Sequence, residues 1–102
     1  MILVGQDVLR RAGKRNAPLR NWLMIWAAMV EGTTWHSLDD VRKTYPATDG
    51  VKLKSRLVVT VFNVKGNVYR LMTSIDYDAG IVEVLEVLTH SEYDKDLWKD
   101  RY

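Results

Sequence analysis

Apolar positions at Leu19, Trp22, Leu23, Trp26, Met29 and Val30 recur three and four residues apart, the spacing of one face of an amphipathic helix. Asn16-Ala17-Pro18 interrupts whatever precedes it, Pro18 suits the first turn of a helix, and Gly32 stands where a C-cap belongs, so the helix ends near Glu31. Ahead of it, Met1–Val4 is apolar and reads as an edge strand. Asp7–Arg15 reads as a short helix carrying Arg10, Arg11, Lys14 and Arg15. Ser37-Leu38-Asp39-Asp40 has the form of a capping box opening another short helix, which stops before Tyr45-Pro46. Ala47–Ser55 is polar and reads as a loop. From Arg56 the period changes to that of strands: Arg56–Val64, Val68–Tyr77 and Ile81–Thr89 are rich in β-branched residues, separated by the turn sequences Lys65-Gly66-Asn67 and Asp78-Ala79-Gly80. The expected fold class is α+β, with N-terminal helices packed on one face of an antiparallel sheet made of this three-strand meander and the N-terminal edge strand. The charged tail, Glu92–Tyr102, reads as short helix or irregular structure.

The meander allows a register to be counted. If Tyr77 pairs with Ile81 across the second turn, Arg70 lies opposite Leu88 and Met72 opposite Glu86. Arg70 and His90 then point to the same side as diagonal neighbours. Tyr93 and Lys95 follow closely enough to fold back over that side. A slip of one residue would separate the set.

Length and composition narrow the picture. A chain of 102 residues fits one domain, residues 1–102, and an apolar content of 47% supports a packed core. The absence of cysteine excludes disulfides, a thiol nucleophile and thiolate zinc sites, and together with the lack of a signal-peptide pattern at Met1–Gln6 it points to the cytoplasm. The apolar run Trp22–Val30 is too short to span a bilayer. His36 and His90 are far apart in sequence, a poor basis for a metal site. Net charge is +2 but unevenly spread: residues 1–70 carry twelve Lys/Arg against five Asp/Glu, net +7, and residues 71–102 carry three against eight, net −5. A basic body of this kind suits a polyanionic partner, although a solvated charged surface would look the same.

Candidate chemistry centres on Arg70, His90, Tyr93 and Lys95, with Lys65 at the hairpin. RNA can be cut through its own 2′-hydroxyl if a base takes the 2′ proton, an acid protonates the leaving 5′ oxygen and a cation holds the phosphorane; neither metal nor cofactor is called for. His90 can serve either proton-transfer role. Arg70 offers a planar fork for phosphate oxygens. Lys65 and Lys95 add positive charge, and Tyr93 can stack on a base or exchange a proton. Lys52, Lys54, Arg56 and Asn67 are candidate RNA contacts. Each has a plainer reading: Arg70 paired with Glu86 on the same face, His90 as a structural strand-end residue, and the lysines as solvated charge. Trp22, Trp26 and Trp35 read as core, and His36 as structural.

Several segments together carry a family resemblance: Pro18-Leu19 with Trp22; Trp35 with Asp40-Val41-Arg42 and Tyr45-Pro46; Val61-Phe62-Asn63-Val64-Lys65-Gly66-Asn67; Tyr69-Arg70-Leu71; and Thr89-His90 followed by Tyr93-Asp94-Lys95. In this order, over residues 5–96, the chain resembles the HigB-type toxins of type II toxin–antitoxin modules, within the RelE/ParE superfamily. The resemblance implies the RelE-like fold and a ribosome-dependent mRNA endoribonuclease that enters the ribosomal A site. It implies a HigA-type helix-turn-helix antitoxin that joins the toxin in repressing the operon at operator DNA. It also implies site roles for Arg70, His90, Tyr93 and Lys95, with Lys65 as a further member. Val68 stands where family members commonly have a lysine, and Glu83 and Glu86 are acidic where RNA would be better served by neutral or basic residues. Two other outcomes fit the same superfamily: a non-enzymatic toxin acting on a protein target such as gyrase, and an inactive relative that acts with its antitoxin in repression.

Overall fold

A computed structural model describes residues 1–102. The element order is β1 (Ile2–Val4), α1 (Gln6–Gly13), α2 (Ala17–Glu31), α3 (Leu38–Thr44), β2 (Asp49–Lys52), β3 (Val58–Val64), β4 (Tyr69–Asp76), β5 (Ile81–Thr89) and α4 (His90–Asp94), followed by a 3₁₀ turn over Leu97–Asp100. The five strands form one sheet in the order β1-β5-β4-β3-β2. β2 to β5 make an antiparallel meander, and β1 adds in parallel to β5 at the edge. The fold is therefore α+β, as expected, with one more strand than the sequence pattern indicated. β2 falls inside the segment read as the Ala47–Ser55 loop. Asp49, Gly50 and Lys52 have little strand preference of their own; pairing with Val58–Val61 holds them, on an edge where three of the four residues stay exposed.

Local signals explain the helices. The Asn16 side chain accepts the Leu19 N–H at 2.8 Å, capping α2, and Pro18 sits in its first turn. Of the expected stripe, Leu19, Leu23, Trp26 and Val30 are buried and Trp22 half-buried, whereas Met29 lies exposed. Ser37 caps α3 through the Asp40 N–H, but the Asp40 carboxylate bonds the His36 N–H, one residue outside the box. α1 ends at Gly13, two residues short of the expected Arg15. At the β1–α1 junction Gly5 has φ +87°, and a Cβ there would lie 2.7 Å from the Val84 carbonyl, so only glycine fits.

The sheet is covered on both faces. On one, the helices bury Leu19, Leu23, Trp26 and Val30 against Phe62, Val64, Leu71, Val82, Val84 and Val87. Phe62 is the hub: Trp26 meets it edge-on at 5.3 Å, Tyr45 edge-on at 5.4 Å, and Trp35 stacks on it at 6.1 Å. On the other face, Val59, Val61, Met72 and Leu88 pack with Leu53 and with Trp98 from the C-terminal tail. The tail thus forms a short helix and a 3₁₀ turn, as expected, and through Trp98 it also packs onto the sheet.

Register decides which polar groups share this second face. Arg70 pairs with Leu88 and Met72 with Glu86, as counted from the sequence, yet Tyr77 is not opposite Ile81; Asp76 is. A bulge reconciles the two. Thr73 pairs with Val84, leaving Leu85 as an extra residue in β5 before Glu86. The turn-proximal half of the hairpin therefore runs one residue out of step with the assumed pairing, and the bulge restores the counted register at Arg70.

Candidate functional site

Arg70 enters the second face from β4 opposite Asn63 and Leu88. Arg70 is only 7% exposed, and its guanidinium is held through both terminal nitrogens. Nη1 donates to the carbonyls of Asn67 and Tyr69, both at 3.2 Å, and Nη2 meets His90 Nδ1 at 2.9 Å. The Tyr93 ring lies beneath it, 5.4 Å from the guanidinium carbon. Three of the five N–H donors are used, so two remain for an incoming anion. Glu86 takes no part. Its carboxylate accepts both Nε and Nη2 of Arg101, at 3.2 and 2.7 Å, and the Tyr102 hydroxyl. The alternative reading, Arg70 neutralised by Glu86, does not describe this fold.

His90 opens α4. Thr89, the last residue of β5, accepts the Glu92 N–H at 3.1 Å, and Glu92 returns a bond to the Thr89 N–H at 2.9 Å. This reciprocal capping box fixes where the strand ends and the helix begins, and so aims the imidazole. The Glu92 carboxyl is held below the usual glutamate range, chiefly by that Thr89 N–H. A guanidinium has only donors, so His90 Nδ1 accepts from Arg70 and the ring proton sits on Nε2, 3.1 Å from Asp94 Oδ2. Arg70, His90 and Asp94 form a continuous chain whose members are one turn of helix and one strand pair apart.

Tyr93 is half-buried, and burial pushes its phenol up from the ordinary tyrosine range. The hydroxyl makes no hydrogen bond within the protein, leaving a proton donor available to a ligand. Asn67 contributes its carbonyl rather than its side chain. With φ +84°, beside Gly66 at +60° and Lys65 at +50°, it belongs to a left-handed hairpin that turns its carbonyl back onto Arg70. Lys65 and Lys95 are exposed on the hairpin and just past α4, flanking the cluster.

The other predicted cations are elsewhere. Lys52 ends β2, and Lys54 and Arg56 lie on the β2–β3 connection; Lys52 and Lys54 line a recess with Asp96, Lys99 and Asp100 of the tail. Along β3 that end is five residues from Asn63, about 17 Å at the rise of an extended strand. Sequence reading missed Asp94 as the partner of His90, and Asn63 across from Arg70. An acidic residue four positions after a helix-opening histidine was the available signal, since i and i+4 share a helix face.

No helix is long and apolar enough to cross a membrane. No curated protein matches the chain. Residues 19–96 do match the family model described as HigB_toxin, the RelE-like toxic component of a toxin–antitoxin system, a segment that contains every residue of the Arg70–His90–Asp94 cluster. By this match the chain belongs to the HigB toxin family, the toxic component of a toxin–antitoxin system.

Proposed function

We propose that this toxin is a ribosome-dependent mRNA endoribonuclease, cutting message in the ribosomal A site through attack of the ribose 2′-hydroxyl. The observation that carries this reading is the buried Arg70 guanidinium, stacked by Tyr93 and bonded to His90, with donors left over. A preorganised cation with spare N–H groups suits the charge that builds on phosphate as a fifth oxygen joins it. A proton acceptor and a proton donor stand beside it.

In the proposed sequence, a scissile phosphate draws Arg70 Nη2 onto its oxygens and releases His90 Nδ1. That nitrogen takes the 2′ proton as the 2′ oxygen bonds to phosphorus, and Asp94 steadies the imidazolium through Nε2. The bond to the 5′ oxygen then breaks, and the leaving oxygen takes a proton from the Tyr93 hydroxyl, which is protonated at neutral pH as any ordinary tyrosine is. The products are a 2′,3′-cyclic phosphate and a 5′-hydroxyl end. Lys65 and Lys95 attract the flanking phosphates. Lys52, Lys54 and Arg56, too distant for the chemical step, would meet ribosomal RNA or the more remote message.

As a toxin the chain has an antitoxin partner. We take that partner to be a HigA-type helix-turn-helix protein, through which the complex binds operator DNA, and the site of action to be the cytoplasm. The wider superfamily's other target class gives a clean contrast for testing. The purified toxin is added to a translating extract, cut ends are analysed for cyclic phosphate, and DNA supercoiling by gyrase is assayed in parallel. Cyclic phosphate ends with unaffected supercoiling support the nuclease; blocked supercoiling with intact message overturns it.

A further inference from the structure

Residues 97–102 lie beyond the segment that matches the family, yet Trp98 and Tyr102 among them pack into the second face of the sheet. Trp98 is fully buried there. Its ring stacks on Tyr93 at 5.4 Å with 16° between planes, and its Nε1 donates to the Tyr93 carbonyl at 3.1 Å. On its far side the chain is fastened to β5. Arg101 grips both oxygens of the Glu86 carboxylate, and Tyr102 donates its hydroxyl to the same group. Glu86 faces this side because the Leu85 bulge precedes it, and its side chain is only 20% exposed. The order across the face is thus Arg70, Tyr93, Trp98 and then the Arg101–Tyr102–Glu86 clamp.

We propose that Leu97–Tyr102 is a strap that sets the position of Arg70, with Trp98 and Glu86 as positioning residues acting through Tyr93. A guanidinium resting on a ring is placed only as well as the ring is. Tyr93 sits on a helix of five residues, too short to hold itself, so its position comes from Trp98 stacked on the ring. Trp98 in turn is held by the clamp. The strap also keeps the Glu86 charge engaged with Arg101, away from a guanidinium that needs free donors for phosphate. An acidic residue that looks unsuited to an RNA-binding face becomes the anchor of that face.

This inference rests on the nuclease reading, so the test has a readout besides cleavage. Trp98→Leu, Trp98→Phe and Glu86→Gln are compared with wild type in single-turnover cleavage on programmed ribosomes and in the NMR resonance of the Arg70 Nε–H, part of the guanidinium whose carbon lies over the Tyr93 ring. Trp98→Leu and Glu86→Gln are expected to lower the cleavage rate constant about tenfold with smaller change in apparent ribosome affinity, and to move the Arg70 resonance. Trp98→Phe, which keeps a ring against Tyr93, should recover most of both. Glu86→Gln removes no core volume and remains informative if Trp98→Leu does not fold. Wild-type rates and an unmoved Arg70 resonance in Glu86→Gln would overturn the strap. If the wild-type protein cuts no RNA, the nuclease reading falls and the Arg70 resonance alone judges the strap: movement in Glu86→Gln supports it, and no movement overturns it.

Discussion

Nη2 of Arg70 stands 2.9 Å from Nδ1 of His90, across a hairpin whose two halves differ in register by one residue. The bulge at Leu85 makes the meeting possible. Without it, the pairing of Asp76 with Ile81 would carry through the hairpin and put His90 on the wrong side of the sheet from Arg70. The proposed site therefore depends on one extra residue in β5, some distance from any of its reactive atoms.

Replacing Arg70 by lysine should be far from conservative. An ammonium cannot bond two carbonyls and an imidazole in one plane while resting on Tyr93 and still offer a fork to phosphate. Cleavage of ribosome-bound message should fall by roughly 10²- to 10³-fold, the usual effect of removing a preorganised oxyanion donor. Circular dichroism and melting should still report a folded protein. A variant within a few-fold of wild type would remove Arg70 from the proposed chemistry.

Asp94→Asn should lower the rate less than loss of His90 but by at least about tenfold, because the amide no longer stabilises the charged imidazole through Nε2. The check is single-turnover cleavage by Asp94→Asn, His90→Ala and the double variant. Non-additive effects are expected, since the two side chains act as one unit.

Thr89→Ala removes the acceptor of the Glu92 N–H and half of the capping box, and should cost about 1 kcal/mol in denaturant unfolding. Glu92 supplies a pH signature. Its folded pKa lies below the unfolded value, so its contribution is present above the ordinary glutamate range and is lost as pH falls through the lowered folded value. Glu92→Gln should flatten the acid limb of the stability profile; an unchanged limb would show that the box contributes nothing there.

Tyr102 gives the opposite sign. Burial, with Glu86 beside it, pushes its phenol up to about 12. A folded pKa raised above the unfolded one means that the contribution is complete below the normal tyrosine range and disappears as pH rises through about 12. In an ultraviolet titration of the five tyrosines, Tyr102→Phe should remove the last-titrating phenol. Loss of an early-titrating one would contradict the clamp.

The meander and α2 were legible in the sequence because period and punctuation agree there: β-branched runs end at Gly-containing turns, and the Leu19–Val30 stripe is bracketed by Asn16 and Gly32. β2 was not, since Asp49-Gly50-Val51-Lys52 becomes a strand only by pairing with β3. Nor was the tail. Trp98 is one apolar ring among charges, and its burial follows from a partner surface formed by Val59, Met72 and Leu88 in three distant strands. For the site, Arg70, His90 and Tyr93 do come together as register and spacing suggested, whereas Lys52, Lys54 and Arg56 sit at the other end of β3. The counted pairing at Arg70 came out right although its premise at Tyr77 did not. A bulge shifts the ladder without leaving a mark in the apolar pattern.

The most direct measurement is primer extension on a defined mRNA incubated with purified protein, with and without translating ribosomes, for wild type and His90→Ala. Cuts that need ribosomes and disappear in a folded His90→Ala variant are the expected result. Undiminished cutting by His90→Ala would contradict the proton-transfer role, and an intact message under every condition would contradict the nuclease itself.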